Sequence, residues 1–193
     1  MIELEKKILL TEEIYEQLLE SFGKDGDAQR KPIVRQVNYY FDTEDLAMNR
    51  HGITCRIRLK NGKYTGTIKR HVEGSDRSVE TEIQVRNGIY DNDFIDMGLR
   101  LQGELITDRC VILKNSTCEA VLDKNEYLGV IDYELEIEYA PDCEKNVQEL
   151  LKVLFDTLNR GKIISGYEDF YPQIVPVSAK SSRFFKRKST INQ

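Results

Sequence analysis

Tryptophan is absent from the 193 residues, histidine occurs twice, at His51 and His71, and proline four times. The missing indole removes the strongest stacking platform for a heterocyclic ring, although ten tyrosines and seven phenylalanines remain. The four cysteines, Cys55, Cys110, Cys118 and Cys143, form no Cys-x-x-Cys pair, so the spacing of a structural zinc site is missing. They read as reduced core fillers rather than nucleophiles, and neither histidine has a Ser or Cys partner at a recognisable spacing. No run approaches the ~18 apolar residues needed to span a bilayer, which argues against a membrane protein. No basic segment followed by an apolar core opens the chain, so the expected location is cytoplasmic. A glycine-rich phosphate loop is also missing. Nor is there a basic excess: 33 acidic against 28 basic residues give a net charge of −5, which argues against general binding to nucleic acid.

What is present is enough apolar material for one core, with 40% hydrophobic and 32% charged residues. We expect a single domain over 1–185, followed by a flexible basic tail at 186–193. Strict alternation recurs along the chain. In 2–8 Glu3, Glu5 and Lys7 oppose Ile2, Leu4 and Ile8, and in 36–42 Gln36, Asn38, Tyr40 and Asp42 oppose Val37, Tyr39 and Phe41. Arg56, Arg58 and Lys60 oppose Cys55, Ile57 and Leu59, while Glu80 and Glu82 oppose Val79, Thr81 and Ile83. Glu134, Glu136 and Glu138 oppose Tyr133, Leu135, Ile137 and Tyr139. Period 2 is the strand signature. Asn61-Gly62 predicts a tight hairpin joining 53–60 to 63–71. Asp123-Lys124-Asn125 reads as the start of a connection towards 127–139, and 105–114 as a strand with poor alternation. Helices are expected over 12–22, capped by Thr11, and over 143–160, capped by Asp142, with short turns at 44–50 and 91–97.

Spacing alone is met by an antiparallel sheet with a solvated charged face, whose cross-strand pairs contribute ~0.2–1 kcal/mol each. Two features favour enclosure instead. Acids and bases segregate onto different strands, whereas an exposed face would mix signs. The opposite faces are solidly apolar and need cover, which two amphipathic helices can supply from outside. An enclosed charged face must hold water, metal ions or a charged ligand, because unpaired charges are costly out of water. A carboxylate wall opposite a cationic wall suits a polyanion bound with a divalent metal.

An ordered set of motifs carries a resemblance. Glu3-x-Glu5-x-Lys7, Tyr40-Phe41-Asp42-Thr43, Arg56-x-Arg58, Thr67-x-Lys69, Glu80-x-Glu82, Glu134-x-Glu136-x-Glu138 and Lys180-Ser-Ser-Arg183 follow one another along residues 1–185. Together they resemble the CYTH superfamily, the triphosphate tunnel metalloenzymes, in its small bacterial form. The resemblance implies a mainly β (α+β) fold: a closed eight-stranded antiparallel barrel forming a tunnel with a charged lumen and helices packed outside. It implies Mg²⁺ or Mn²⁺ held by Glu3, Glu5, Glu80, Glu82, Asp123, Glu134, Glu136 and Glu138. Phosphate contacts are implied for Lys7, Arg56, Arg58, Lys69, Arg109, Lys180 and Arg183, with Lys180 and Arg183 acting as a lid. Glu5, Lys7 and Glu136 are the implied catalytic residues, Lys7 either orienting the terminal phosphate or serving as a base.

The implied activity is metal-dependent hydrolysis of a triphosphate, with inorganic triphosphate first and a nucleoside triphosphate second. A class IV-type adenylyl cyclase, a thiamine triphosphatase, an RNA 5′-triphosphatase and a non-catalytic polyphosphate- or nucleotide-binding module are the alternatives. The implied partner is a small-molecule triphosphate, and the chain is either a monomer or a homodimer.

Overall fold

The computed structural model describes residues 2–25, 29–71, 77–160 and 177–191. Chain order is β1 (Ile2–Leu10), α1 (Glu12–Phe22), β2 (Lys24–Asp25), β3 (Gln29–Arg30), β4 (Ile33–Asp42), α2 (Ala47–Arg50), β5 (Ile53–Lys60) and β6 (Lys63–His71). Then come β7 (Arg77–Ile83), β8 (Val85–Asn87), β9 (Asp91–Asn92), α3 (Asp93–Asp96), β10 (Arg100–Lys114), β11 (Cys118–Tyr127) and β12 (Val130–Tyr139). Helices α4 (Glu144–Arg160) and α5 (Lys180–Ile191) complete the chain. The alternating segments are strands, and Thr11 caps α1 by accepting the Ile14 N–H at Oγ1.

Eight strands form one curled antiparallel sheet in the order β1-β12-β11-β10-β4-β5-β6-β7. Its two ends meet where Ile2, Glu3 and Leu4 pair with Val79, Ser78 and Arg77. By contrast, β11 and β12 pair continuously from Cys118–Tyr139 to Tyr127–Val130. The Asn61-Gly62 turn joins β5 to β6, with φ of 50° and 75° as a tight hairpin requires. Antiparallel order puts this hairpin at one end of the curl. At the other end lie the close of β4, the start of β5 and the β11–β12 turn.

Two expectations about segments need correction. Asp123-Lys124-Asn125 lies within β11, and the chain turns instead at Leu128-Gly129, both at positive φ. The poor alternation of 105–114 has a local cause. Strand β10 slips register between Leu101 and Gly103 and again between Val111 and Leu113, and each bulge changes which side chains face inward. Gly103 sits at φ 146°, and a Cβ there would come within 2.9 Å of the Phe184 ring.

The outward faces carry two apolar clusters. Ile8, Leu122, Leu135 and Ile137 pack beneath Leu18 of α1 and Val147, Leu151 and Leu154 of α4. Phe41, Cys55 and Ile57 pack with Phe94 of α3. Those helices lie outside, as expected. Helix α5 does not, and it includes most of the segment read as a loose tail. Phe184 and Phe185 pack on Tyr40, Leu105 and Tyr127, which lie at the end of the curl away from the Asn61-Gly62 turn. Burying each phenyl ring contributes on the order of 2 kcal/mol, and together they hold α5 across that end.

Candidate active site

Alternation places Glu5, Lys7, Gln36, Asn38, Tyr40, Arg56, Arg58, Lys69, Glu80, Glu136 and Glu138 around one internal cavity of about 120 Å³. Ile57 lies between Arg56 and Arg58 on the outer face, so the packing that buries it also aims both arginines at the cavity. The site-directed charges fall into two groups with different degrees of neutralisation.

The first group is saturated. Arg109 donates to both Asp123 oxygens at 2.8 and 2.7 Å and to Glu136 Oε2 at 3.0 Å. Lys180, from the first turn of α5, reaches Asp123 at 2.9 Å, Glu134 at 2.7 Å and Glu136 at 2.6 Å. Arg183 pairs with Asp132 at 3.0 Å and also with Glu134. Burial opposes the charge on Lys180, but Glu136, Asp123 and Glu134 outweigh it and hold the ammonium above the ordinary lysine range. Burial would likewise lift the Glu136 carboxyl, yet Lys180, Arg109 and Lys7 hold it well below the usual carboxylate range. This knot fastens α5 to β11 and β12. Asp123 and Glu134, assigned from the resemblance to metal, are fully buried and satisfied by cations. Arg183, assigned to phosphate, spends its donors on Asp132, Glu134 and the Ser178 carbonyl and does not line the cavity.

The second group lies around the cavity itself. Glu5 pairs with Lys7 and lies 3.6 Å from Lys69, which is also 3.6 Å from Glu80, while Arg56 is 3.8 Å from Glu80. The Arg56 Nε–H is buried without an acceptor. Arg58 donates Nε–H to Asn38 Oδ1 at 2.9 Å, and no carboxylate among the described residues pairs with it. Burial first, then Arg56 and Arg109, push its guanidinium down to about 9, and Glu136 offsets this only in part. Glu136 belongs to both groups: Arg109 and Lys180 contact its Oε2, and its carboxylate also lies with those of Glu5 and Glu138, with oxygens within 4.8 Å of one another. Three hard oxygen donors at that separation fit Mg²⁺ or Mn²⁺.

Glu82 is exposed and outside the cavity lining, two residues beyond Glu80 where β7 approaches its end. The Glu3 side chain lies outside the described residues. Gln36, Asn38, Thr54, Thr67, Thr107 and Ser181 also line the cavity, and the sequence reading gave none of them a site role, although it placed Gln36 and Asn38 on the polar face and Thr67 in a motif. The parity that gave Arg56 and Arg58 would have found Gln36 and Asn38 as well. Ser181 accepts from the Thr54 hydroxyl at 3.0 Å and depends on the position of α5, for which no strand period gives a signal.

Comparison with known proteins agrees with this geometry. The CYTH domain family matches residues 1–163. "Putative triphosphatase YjbK" of Bacillus subtilis (strain 168) is 30% identical over 187 residues, covering 87% of this chain and 95% of that one. A Bacillus halodurans crystal structure described as a putative adenylate cyclase superposes with a TM-score of 0.66 at 24% identity, covering 95% of this chain and 97% of the other. A Hippeastrum protein, described as a putative adenylyl cyclase with a dominant triphosphatase activity, superposes at 0.59 with 19% identity, over 81% and 87% of the two chains. Those two likenesses speak to the fold. With the family match over most of the chain and the curated relative beside it, this protein belongs to the CYTH domain family.

Proposed function

We propose that the protein hydrolyses a linear triphosphate with the help of a divalent cation, and that inorganic triphosphate is its preferred substrate within a continuous tunnel. One observation carries the reading: the cations Arg56, Arg58 and Lys69 share a cavity with the Glu5, Glu136 and Glu138 cluster. Glu5, Glu136 and Glu138 would hold Mg²⁺ or Mn²⁺, which when bound supplies Lewis-acid neutralisation of phosphate charge.

The remaining work falls to the chain. The Arg56 and Arg58 forks take two phosphate oxygens each and stabilise charge spread over the transferring group. Lys69 grips from the neighbouring strand, and Lys7, held beside Glu5, orients the terminal phosphate. Glu5 or Glu138 takes the proton of the attacking water as the bridging P–O bond breaks and diphosphate leaves. Lys180 keeps its proton among three carboxylates, which suits an anchor of the cavity wall and not a base. Among the described residues Tyr40 is the single aromatic one lining the cavity, and its ring is committed to Phe184 at 4.9 Å. This favours a substrate without a heterocycle over thiamine triphosphate or a cyclised nucleotide.

The test is phosphate release from tripolyphosphate, ATP and thiamine triphosphate, with and without Mg²⁺ or Mn²⁺, and with cyclic nucleotide measured in the ATP reactions. Tripolyphosphate should be the best substrate, and Glu138→Gln and Arg56→Ala should each lower its turnover by about 10²-fold. Metal-independent release, or none on any substrate, overturns the proposal. Cyclic nucleotide as the main product would establish a cyclase instead.

A further inference from the structure

Strand register distributes charge unevenly around the cavity. Lys7 lies opposite Glu136, Lys69 opposite Glu80 and Arg109 opposite Asp123, so three of the cations lining it face a carboxylate on an adjacent strand. The two arginines of β5 do not. Arg56 lies between Tyr40 and Thr67, and Arg58 between Asn38 and Thr65, so their neighbours in register on both β4 and β6 are uncharged. Those neighbours treat the two guanidinium groups differently. The Arg58 Nε–H is taken by Asn38 Oδ1 at 2.9 Å, whereas the Arg56 Nε–H is buried without an acceptor.

Asn38 is built into the wall that it lines. It is 2% exposed, and its Nδ2 donates to the Leu105 carbonyl at 3.4 Å across the β4–β10 pairing. Leu105 is itself fully buried and packs with Phe184. With its amino end committed to a carbonyl, the Asn38 amide presents its oxygen to Arg58. That contact fixes the guanidinium plane and leaves the fork of Nη1 and Nη2 for phosphate oxygens. A carboxylate in the same place would hold Nε–H as well, but it would cancel the charge.

We propose that Asn38 is a positioning residue: it orients Arg58 towards the transferring phosphoryl group through a neutral acceptor, so that the charge of the guanidinium is kept for the substrate. The inference rests on the triphosphatase reading and adds to it a residue that acts through Arg58. Arg56 has no such acceptor for its Nε–H and completes its hydrogen bonds on the ligand. The two arginines of β5 thus combine one preset fork with one that adapts.

The test is a double-mutant cycle. Asn38→Ala should lower kcat on tripolyphosphate about tenfold when Arg58 is present and less than about twofold in an Arg58→Met background. Asn38→Asp keeps an acceptor for Nε–H, so it should bring kcat back to within about threefold of the intact protein. It should also raise KM about tenfold, because the carboxylate competes with phosphate for Arg58. An equal kcat loss in both backgrounds, no loss, no recovery with aspartate or an unchanged KM in Asn38→Asp each overturns the proposal while the triphosphatase reading stands. If Asn38→Ala does not fold, the KM of Asn38→Asp decides: it should rise with Arg58 present and stay level in Arg58→Met. If the intact protein hydrolyses no triphosphate, that reading falls, and the cycle is read from the melting-temperature shift produced by tripolyphosphate. Asn38→Asp should then reduce the shift only where Arg58 is present. An equal reduction in both backgrounds, or no shift in the intact protein, overturns the proposal.

Discussion

The Arg58 guanidinium is held by one neutral acceptor, Asn38 Oδ1, and surrounded by burial and by Arg56 and Arg109. A charge in that position raises the energy of the ligand-free protein and lowers that of the complex. Activity and stability should therefore separate at this residue. Arg58→Met, which keeps length and removes charge, should lower tripolyphosphate turnover by about 10²-fold while raising the metal-free unfolding free energy by about 1 kcal/mol in urea. A variant that loses both would show that Arg58 is structural. Lys180, by comparison, is surrounded by three carboxylates, and the same logic gives it the opposite balance.

Among the elements, β4, β5 and β12 could be read from the sequence because their alternation is unbroken, and the inward set followed directly from it. Strand β10 could not, since its two bulges reassign the facing side at Gly103 and near Leu113. Asp42 shows a different limit. It belongs to the Tyr40–Thr43 motif, but its carboxylate accepts the N–H groups of Thr43, Met48 and Asn49 and so shapes the turn into α2. Helix α5 was not visible as an element at all. Its buried face reduces to Ser181 and the adjacent Phe184 and Phe185, too few positions to make a stripe in a run rich in lysine and arginine. Phe184→Ala should cost about 3–5 kcal/mol in urea unfolding, because the ring is fully buried against Tyr40, Tyr127 and Phe185. A loss below about 1 kcal/mol would mean that α5 is held by its ion pairs alone.

At the scale of the whole molecule, the segregation of acids and bases onto separate strands predicted an enclosed charged face before any geometry was available. What it could not predict was how those charges pair. The resemblance assigned Asp123, Glu134, Glu5 and Glu138 alike to metal, and distance divides them: Asp123 and Glu134 are held by Arg109 and Lys180, while Glu5 and Glu138 line the cavity. The apolar layers outside the sheet set a pH limit of their own. Burial, with Asp42 second, pushes the Cys55 thiol up to about 12, and burial, with Asp132 second, pushes the Tyr127 phenol up to about 12. Both folded values exceed the unfolded ones of 9.0 and 10.0, so their contribution to stability is complete below pH 9.0 and is lost as pH rises towards about 12. Urea midpoints should fall steadily above that point, with a later onset in Cys55→Ala; a flat profile would contradict the assignment.

The join between β1 and β7 gives the molecule one more property. Among the described residues, Ile2, Glu3 and Leu4 of β1 lie beside Val79, Ser78 and Arg77 of β7. In mechanical terms β1 and β7 are the two margins of one curled sheet, brought side by side along that line. Glu5 on β1 and Glu80 on β7 lie on the two strands of the join, with Lys69 on the neighbouring β6 within 3.6 Å of both, while the knot of Lys180 and Arg109 lies on β10, β11, β12 and α5. Whatever bridges Glu5 to Lys69 and Glu80 therefore acts as a clasp, drawing the free edges together from within.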